Sequence, residues 1–386
     1  MNVLYDSQAF DMQTHGGVSR CFAELYAHMP ADVHAQIALV ETDNVYLQQL
    51  GFKPKGTTYQ DFSGGSNSKW CRLQYKLHYN WKYGHLRQWD KMPDLNRFEQ
   101  HRLVAEQAYD IFHPTFFDGY FLSLIGDKPF VVTVHDMIPE IYQQYYRADD
   151  PQILQKKLTI PRATHLIAVS ENTKNDLVRL MNIPEERISV VYHGVDETQY
   201  IPSAQRPYDY EYLLYVGERH FYKNFAFFCR ECMSILRRHK ELKVVCTGKP
   251  FLSEEQYLLR ALGLEERFVQ TFVKSDQDFL DLYHYAVAFV YPSEYEGFGI
   301  PILEAYKADC PVMLNRASCF PEIAGDAAVY FHMCAEKSDF EEQFETLYHL
   351  DANERAQLLL KQRQRLQRYS WDDAAKKLAT IYGKLV

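Results

Sequence analysis

The sequence predicts an α/β protein built as two doubly wound halves, each a parallel sheet covered by helices. Three observations predict it. Short apolar runs alternate with helix-periodic segments along the whole chain, as they do in βα units. The 386 residues exceed one ordinary domain and fit two, and a hydrophobic content of 47% is enough for two cores. Between the halves, the stretch 196–210 holds Pro202, Ser203 and Pro207 and no clear period, which marks an interdomain linker.

Six strands are expected in the first half, at 3–5, 36–40, 111–113, 130–134, 165–169 and 189–192. Six more are expected in the second, at 213–216, 243–246, 269–272, 287–291, 311–314 and 328–331. These runs lack alternation because a parallel strand is covered on both faces. The expected domains are 1–200 and 201–365, followed by a final helix in 366–386. Neither half carries G-x-G-x-x-G after its first strand, which argues against a dinucleotide oxidoreductase. The absence of G-x-x-x-x-G-K-[ST] argues against a P-loop enzyme.

The richest chemistry follows strand 287–291, in Glu296-Gly297-Phe298-Gly299-Ile300-Pro301-Ile302-Leu303-Glu304. Two carboxylates stand eight positions apart across a glycine turn that opens a helix. Pro301 suits the first helical position because it has no N–H to satisfy there. The helix start offers free N–H groups and the positive end of a dipole to an anion. Carboxylates beside a phosphate repel it unless they are aimed at hydroxyls. A ligand with both phosphates and hydroxyls is implied, and a nucleotide sugar is one. The plain alternative is a strand–turn–helix with surface glutamates.

Other strand ends carry matching chemistry. Val216-Gly217-Glu218-Arg219-His220-Phe221-Tyr222-Lys223-Asn224 places two cations at the C-terminal end of a parallel strand, where open α/β sheets bind ligands. Arginine forks onto phosphate oxygens and lysine acts as a point charge. Thr14-His15-Gly16-Gly17-Val18-Ser19-Arg20 follows strand one, and Gly16 and Gly17 permit close backbone approach to a phosphate. His135 and Asp136 emerge from strand 130–134, and Ser170 is a good N-cap after strand 165–169. Asp276-Gln277-Asp278 fits a metal-binding D-x-D, but it precedes an amphipathic helix and reads as a charged helix start.

These motifs resemble those of the retaining glycosyltransferases of family 4, which have the GT-B fold of two Rossmann-like domains facing a central cleft. The resemblance covers most of the chain and is strongest at 213–224 and 286–326. It implies that Glu296 contacts the donor sugar and Glu304 the ribose. It implies a pyrophosphate held by Arg219 and Lys223, by the Gly16-Gly17 loop and by the helix start at Phe298, Gly299 and Ile300. His135 would lie near the donor sugar, and the backbone at Val273 would meet the nucleobase. The catalytic set is then Glu296, His135, Arg219 and Lys223. Tyr192-His193-Gly194-Val195-Asp196 departs from the family pattern, because His193 replaces the usual Asn.

A net charge of −9 argues against nonspecific nucleic-acid binding. No basic, apolar leader opens the chain and no apolar run reaches membrane-span length, so a cytoplasmic protein is expected. Eight cysteines are scattered, and Cys229-x-x-Cys232 has no second pair at zinc spacing, so buried reduced thiols are expected. Residues 69–97 gather seven basic groups and Trp70, Trp81 and Trp89. That chemistry suits a membrane interface, or else a helix packing its aromatics inward. The resulting expectation is transfer of a hexose from a UDP- or GDP-linked donor to a glycan or lipid-linked glycan acceptor, in cell-surface polysaccharide synthesis. No metal is required, and the site of action is the cytoplasm or the inner face of the plasma membrane. The rival readings are a nucleotide-sugar epimerase and a non-catalytic nucleotide-sugar-binding module.

Overall fold

The computed structural model describes residues 1–83, 94–196, 198–219, 221–333 and 338–386. Twelve strands lie among the described residues. The first half contains β1 (Asn2–Tyr5), β2 (His34–Ile37), β3 (Ile111–His113), β4 (Val131–Val134), β5 (His165–Ala168) and β6 (Ile188–Val190). The second contains β7 (Tyr212–Tyr215), β8 (Lys243–Thr247), β9 (Phe268–Thr271), β10 (Ala288–Tyr291), β11 (Val312–Asn315) and β12 (Val329–Phe331). Among the described residues every strand pairing is parallel.

The second half forms one sheet in the order β12-β11-β10-β7-β8-β9. The strand order reverses between β7 and β10, so the loops leaving their C-terminal ends diverge and open a crevice. The first half forms two sheets, β2-β1-β3 and β4-β5-β6, which meet edge to edge through a Phe112–Phe130 bridge. Here the reversal falls between β1 and β3. The expected strand at 36–40 lies instead at 34–37, because Asn96 Oδ1 accepts the N–H groups of Val40 and Glu41 and takes them out of the ladder.

Buried apolar side chains cover both faces of each sheet. Phe225, Phe228, Cys229 and Cys232 on helix Phe225–Arg238 pack one face of the second sheet, and Ile302, Leu303 and Tyr306 pack with the other. Each such side chain contributes about 1.5–3 kcal/mol by leaving water. Cys229 and Cys232 are thus buried free thiols. The described residues of 196–211 form neither helix nor strand. Helix Trp371–Gly383 packs into the core of the first half, against helix Gly17–Ala27. There the hydroxyls of Tyr382 and Tyr5 lie 2.9 Å apart, and the Tyr382 hydroxyl is 2.5 Å from His113 Nδ1.

Helix Lys69–Tyr83 divides its aromatics between two faces. Tyr75 and Tyr79 are buried in a cluster with Tyr59, Leu95 and Phe98. Trp70 and Trp81 are 68% and 83% exposed, and Leu73 and Leu77 between them are also exposed. Positions 70, 73, 77 and 81 share one helix face. Lys76 is buried rather than presented to solvent. Arg87, Trp89 and Lys91 of the basic aromatic stretch lie outside the described residues. No helix among the described residues is long and apolar enough to cross a membrane.

Candidate active site

The loops leaving β7 and β10 meet as their strand order requires. Gly217, at φ 105°, turns the chain sharply after β7, and a single 3-10 turn at Phe221–Lys223 presents Lys223. Its Nζ lies 2.6 Å from Glu296 Oε1 in a largely buried ion pair. The Glu296 backbone is fixed by Ser318: its N–H donates to Ser318 Oγ at 3.1 Å, and that hydroxyl donates back to its carbonyl at 2.7 Å. Burial and the adjacent Glu296 carboxylate hold the Tyr291 phenol well above its usual range.

Gly297 brings the two halves together. A methyl group there would sit 1.7 Å from the His135 carbonyl oxygen, so only glycine allows this approach. The Gly297 carbonyl accepts a hydrogen bond from Ser170 Oγ at 2.6 Å. Nearby, Glu322 accepts from the N–H groups of Glu171 and Asn172 at 2.7 and 3.1 Å. A carboxylate of the second half thereby caps helix Glu171–Met181 of the first, where the dipole favours negative charge. The Tyr295 hydroxyl adds a 2.6 Å bond to Asp176.

Glu304 lies in helix Ile300–Lys307, which opens with Gly299 at φ 94° and Pro301. Arg20 Nη1, from the helix that the glycine loop starts, donates to Glu304 Oε1 at 3.4 Å across the cleft. The Tyr283 hydroxyl donates to Oε2 at 3.3 Å. Burial raises the Glu304 carboxyl above its ordinary range, and Arg20 partly opposes that. A methyl on Gly17 would lie 3.6 Å from Ile300 Cδ1, so the two helix starts nearly touch. Phe298 is buried and its ring packs on His193, 4.7 Å between centroids.

Between the halves is a cavity of about 730 Å³ lined by His15, Tyr46, Gly217, Gly248, Val273 and Asp276, among others. It joins the glycine loop of one half to the strand ends of the other and falls within the size range of small-molecule sites. A second cavity of about 740 Å³ lies on the hinge side, between Val195–Tyr200 and Tyr306–Ser370, and contains neither paired glutamate. A third, of about 610 Å³, sits in the first half among Asp11, Glu41, Lys55, Arg72 and Asn96.

Arg219 departs from the expected Arg–Lys pair. Its side chain is only 4% exposed, and its Nε lies 3.0 Å from Glu255 Oε1. It also donates to the carbonyls of Lys249 and Pro250 at 2.7 and 3.0 Å and lies against Phe251. Those contacts consume its guanidinium and tie the β7 loop to the β8 loop. His135 does reach the site. Its neighbour Asp136 is held by buried Lys156, which donates to the Asp136 carbonyl at 2.8 Å. Burial lowers the His135 imidazole to about 4, so it is neutral at physiological pH. Ser275 Oγ accepts from the Asp278 N–H at 3.1 Å, so Asp276 and Asp278 begin a helix as their sequence suggests. Arg20 and Tyr283 reach Glu304 without belonging to any motif that marks them in the sequence. The available signal for Arg20 is a lone cation one turn after Gly16-Gly17.

Residues 15–199 match the family model described as Glycosyltransferase Family 4, and residues 196–370 the one described as Glycosyl transferases group 1. The O-antigen chain mannosyltransferase RfbU of Salmonella typhimurium is 28% identical over 239 residues, which are 57% of this chain and 67% of that one. O-antigen chain mannosyltransferase B of Escherichia coli is 28% identical over 214 residues, 52% of this chain and 56% of its own length. The structure of Anabaena HepE in complex with UDP and glucose superposes over 99% of both chains, with a TM-score of 0.70 at 15% identity. Sucrose-phosphate synthase from Thermosynechococcus elongatus gives 0.67 at 18%, over 100% of this chain and 99% of that one. Likeness at this identity carries the fold, and two adjoining family models carry the rest: the chain belongs to the group 1, family-4-like glycosyltransferases and has their GT-B fold.

Proposed function

We propose that this glycosyltransferase moves a hexose, with retention and without a metal, from a UDP- or GDP-linked donor to a glycan or lipid-linked glycan acceptor. The observation that carries the reading is the paired-glutamate loop, seated against His135 by Gly297 and ion-paired to Lys223. HepE is described with UDP and glucose, and the two bacterial relatives are described as O-antigen chain mannosyltransferases. Those descriptions support a nucleotide-sugar donor and a role in cell-surface polysaccharide.

In this reading the nucleoside occupies the cavity beside Val273, and Glu304 accepts hydrogen bonds from the ribose hydroxyls. Lys223 and the N–H groups at the starts of helices Gly17–Ala27 and Ile300–Lys307 stabilise the leaving phosphate as its charge develops. Glu296 orients the sugar hydroxyls. The leaving phosphate takes the acceptor proton on the same face of the sugar. Arg219 acts through its grip on the loop that carries Lys223. Neutral His135 and the closed seam exclude water, which would otherwise hydrolyse the donor. The acceptor enters from the 610 Å³ cavity, whose mixture of carboxylates, amides and tyrosines suits sugar hydroxyls. The exposed Trp70–Trp81 face would rest on the inner leaflet and present a lipid-linked acceptor.

The test is product analysis with UDP- and GDP-hexoses and extracted lipid-linked glycans. Acceptor-dependent release of nucleoside diphosphate with a new α-linked hexose supports the reading. Donor conversion without acceptor points to an epimerase, and donor binding without turnover to a binding module.

A further inference from the structure

His193 stands where the resembling family carries Asn, and donor binding gives it no task. Its ring lies nearly parallel to that of His135, 5.7 Å between centroids. Cys21, on the helix that follows the glycine loop, approaches both. Its Sγ and one ring nitrogen of each histidine all lie within 4.8 Å of one another. Cys21 and His193 are buried, and His135 Nε2 is sealed from solvent with no hydrogen-bond partner. Buried polar atoms are seldom left so without a reason.

We propose that Cys21, His135 and His193 form a binding site for a soft divalent cation, with Zn²⁺ the best fit. Thiolate and imidazole are the ligands Zn²⁺ prefers. Bonds of about 2.0–2.3 Å in a tetrahedron set ligand–ligand edges of about 3.3–3.6 Å. The present spacing is therefore a slightly open form of that triangle, closed by small side-chain rotations. All three ligands belong to the first half, so the site forms whether or not the cleft is shut. Three protein ligands leave a fourth position for water. Coordination takes both imidazoles in their neutral form. The Cys21 thiol gives its proton to solvent as the Zn–S bond forms, so binding weakens as pH falls. A bound ion would hold the His135 ring away from the donor sugar. The site is then an inhibitory one, and this last step rests on the transferase reading.

The full chain, stripped with EDTA and titrated with Co²⁺, tests the site without any activity. The expected result is one bound equivalent with tetrahedral d–d bands and a thiolate-to-cobalt charge-transfer band, both abolished by Zn²⁺. Cys21→Ser should lose the charge-transfer band, and His193→Asn should lose the d–d intensity. Cys71→Ser, at a partly exposed thiol, should change neither. Thermal melts in EDTA confirm that each variant is folded. No charge-transfer band in the wild type would overturn the proposal, as would a band that survives Cys21→Ser or vanishes in Cys71→Ser. In transfer assays, Zn²⁺ should inhibit the wild type and spare Cys21→Ser. Cobalt bands in a protein without transfer activity would leave the site standing and reject the transferase reading instead.

Discussion

The two walls of the cleft hold their polar groups in opposite ways. The second half presents charges that are already paired: Lys223 with Glu296, Arg219 with Glu255, and Glu304 with Arg20 from the facing wall. The first half presents the neutral, buried rings of His135 and His193. A charge taken from water is costly unless it is paired, so the charged wall arrives at its ligand with internal partners. A nucleotide sugar then exchanges one set of charged contacts for another, with little reorganisation. The neutral wall serves a different end, because uncharged rings desolvate a sugar cheaply. Removing a group from the charged wall therefore strands its partner, whereas removing one from the neutral wall leaves a void.

Breaking the Lys223–Glu296 pair should have the largest effect. Lys223→Ala should slow transfer by roughly 10²–10³, the loss typical of one preorganised charge stabiliser. Glu296→Ala should lower turnover more than nucleoside diphosphate affinity, and the double variant should be less than additive. Steady-state kinetics with calorimetry decides this, and equal losses of turnover and affinity would move Glu296 to the nucleotide. Glu304→Ala should weaken nucleoside diphosphate binding by about 1.5–3 kcal/mol, a charged hydrogen bond to ribose. Unchanged affinity would remove Glu304 from the site.

The neutral wall can be tested by acid. His113 and His135 are held near 3 and 4 by burial, and His193 is also lowered, while the unfolded chain titrates near 6.5. Between those values the unfolded state binds more protons, so stability must fall as pH drops below 6.5. For His113 and His135 the cost at pH 5 is of the order of 2 kcal/mol each. Asp6, raised to about 6 by burial, and Asp11, Glu41 and Glu304, raised for the same reason, act in the opposite sense over part of that window, while His101 and His165, lowered by burial, add to the fall. The melting temperature should drop between pH 7 and pH 5, and less so in His193→Asn. A flat profile would mean these rings are not neutral and buried.

Arg219→Ala sharpens the division inside the charged wall. It should lower the melting temperature, because Glu255 loses its partner, while nucleotide affinity changes less than in Lys223→Ala. The reverse ranking would return Arg219 to the phosphate. The smallest effect is expected on the outer face of the first half. Replacing Trp70 and Trp81 by Ala, with Lys69 neutralised, should release the protein from anionic vesicles. Each basic group near such a surface contributes about 1 kcal/mol. Transfer to a short soluble acceptor should persist, and a sedimentation assay at low and high salt reads the result.

Much of this was legible in the sequence because it is local. Each expected strand has a counterpart, since apolar runs between helices record burial on both faces. The exception in placement, at 36–40, failed because Asn96, far along the chain, removes two N–H groups from the ladder. The Glu296–Glu304 segment was legible because its turn, helix start and carboxylates lie within nine residues. The pairing of Arg20 with Glu304 was not, because 284 positions separate them. Nor was the fate of Arg219: a cation after a glycine turn reads the same whether it faces a ligand or a carbonyl cluster. The split of Tyr75 and Tyr79 from Trp70 and Trp81 follows helical spacing, but which face turns inward depends on Tyr59, Leu95 and Phe98.

Helix Trp371–Gly383 has a consequence for how the protein is made. It completes the core of the first half, yet it is translated after the whole of the second. At about 5–20 residues per second, the ribosome delivers it many seconds after β1–β6 have emerged. During that interval Tyr5, Phe22 and His113 lack their Tyr382 partner and stay open to solvent or to chaperones. The second half can close its own core first, which reverses the usual N-to-C order of folding. Nascent chains arrested before residue 371 should therefore show a protease-resistant second half and a susceptible first half.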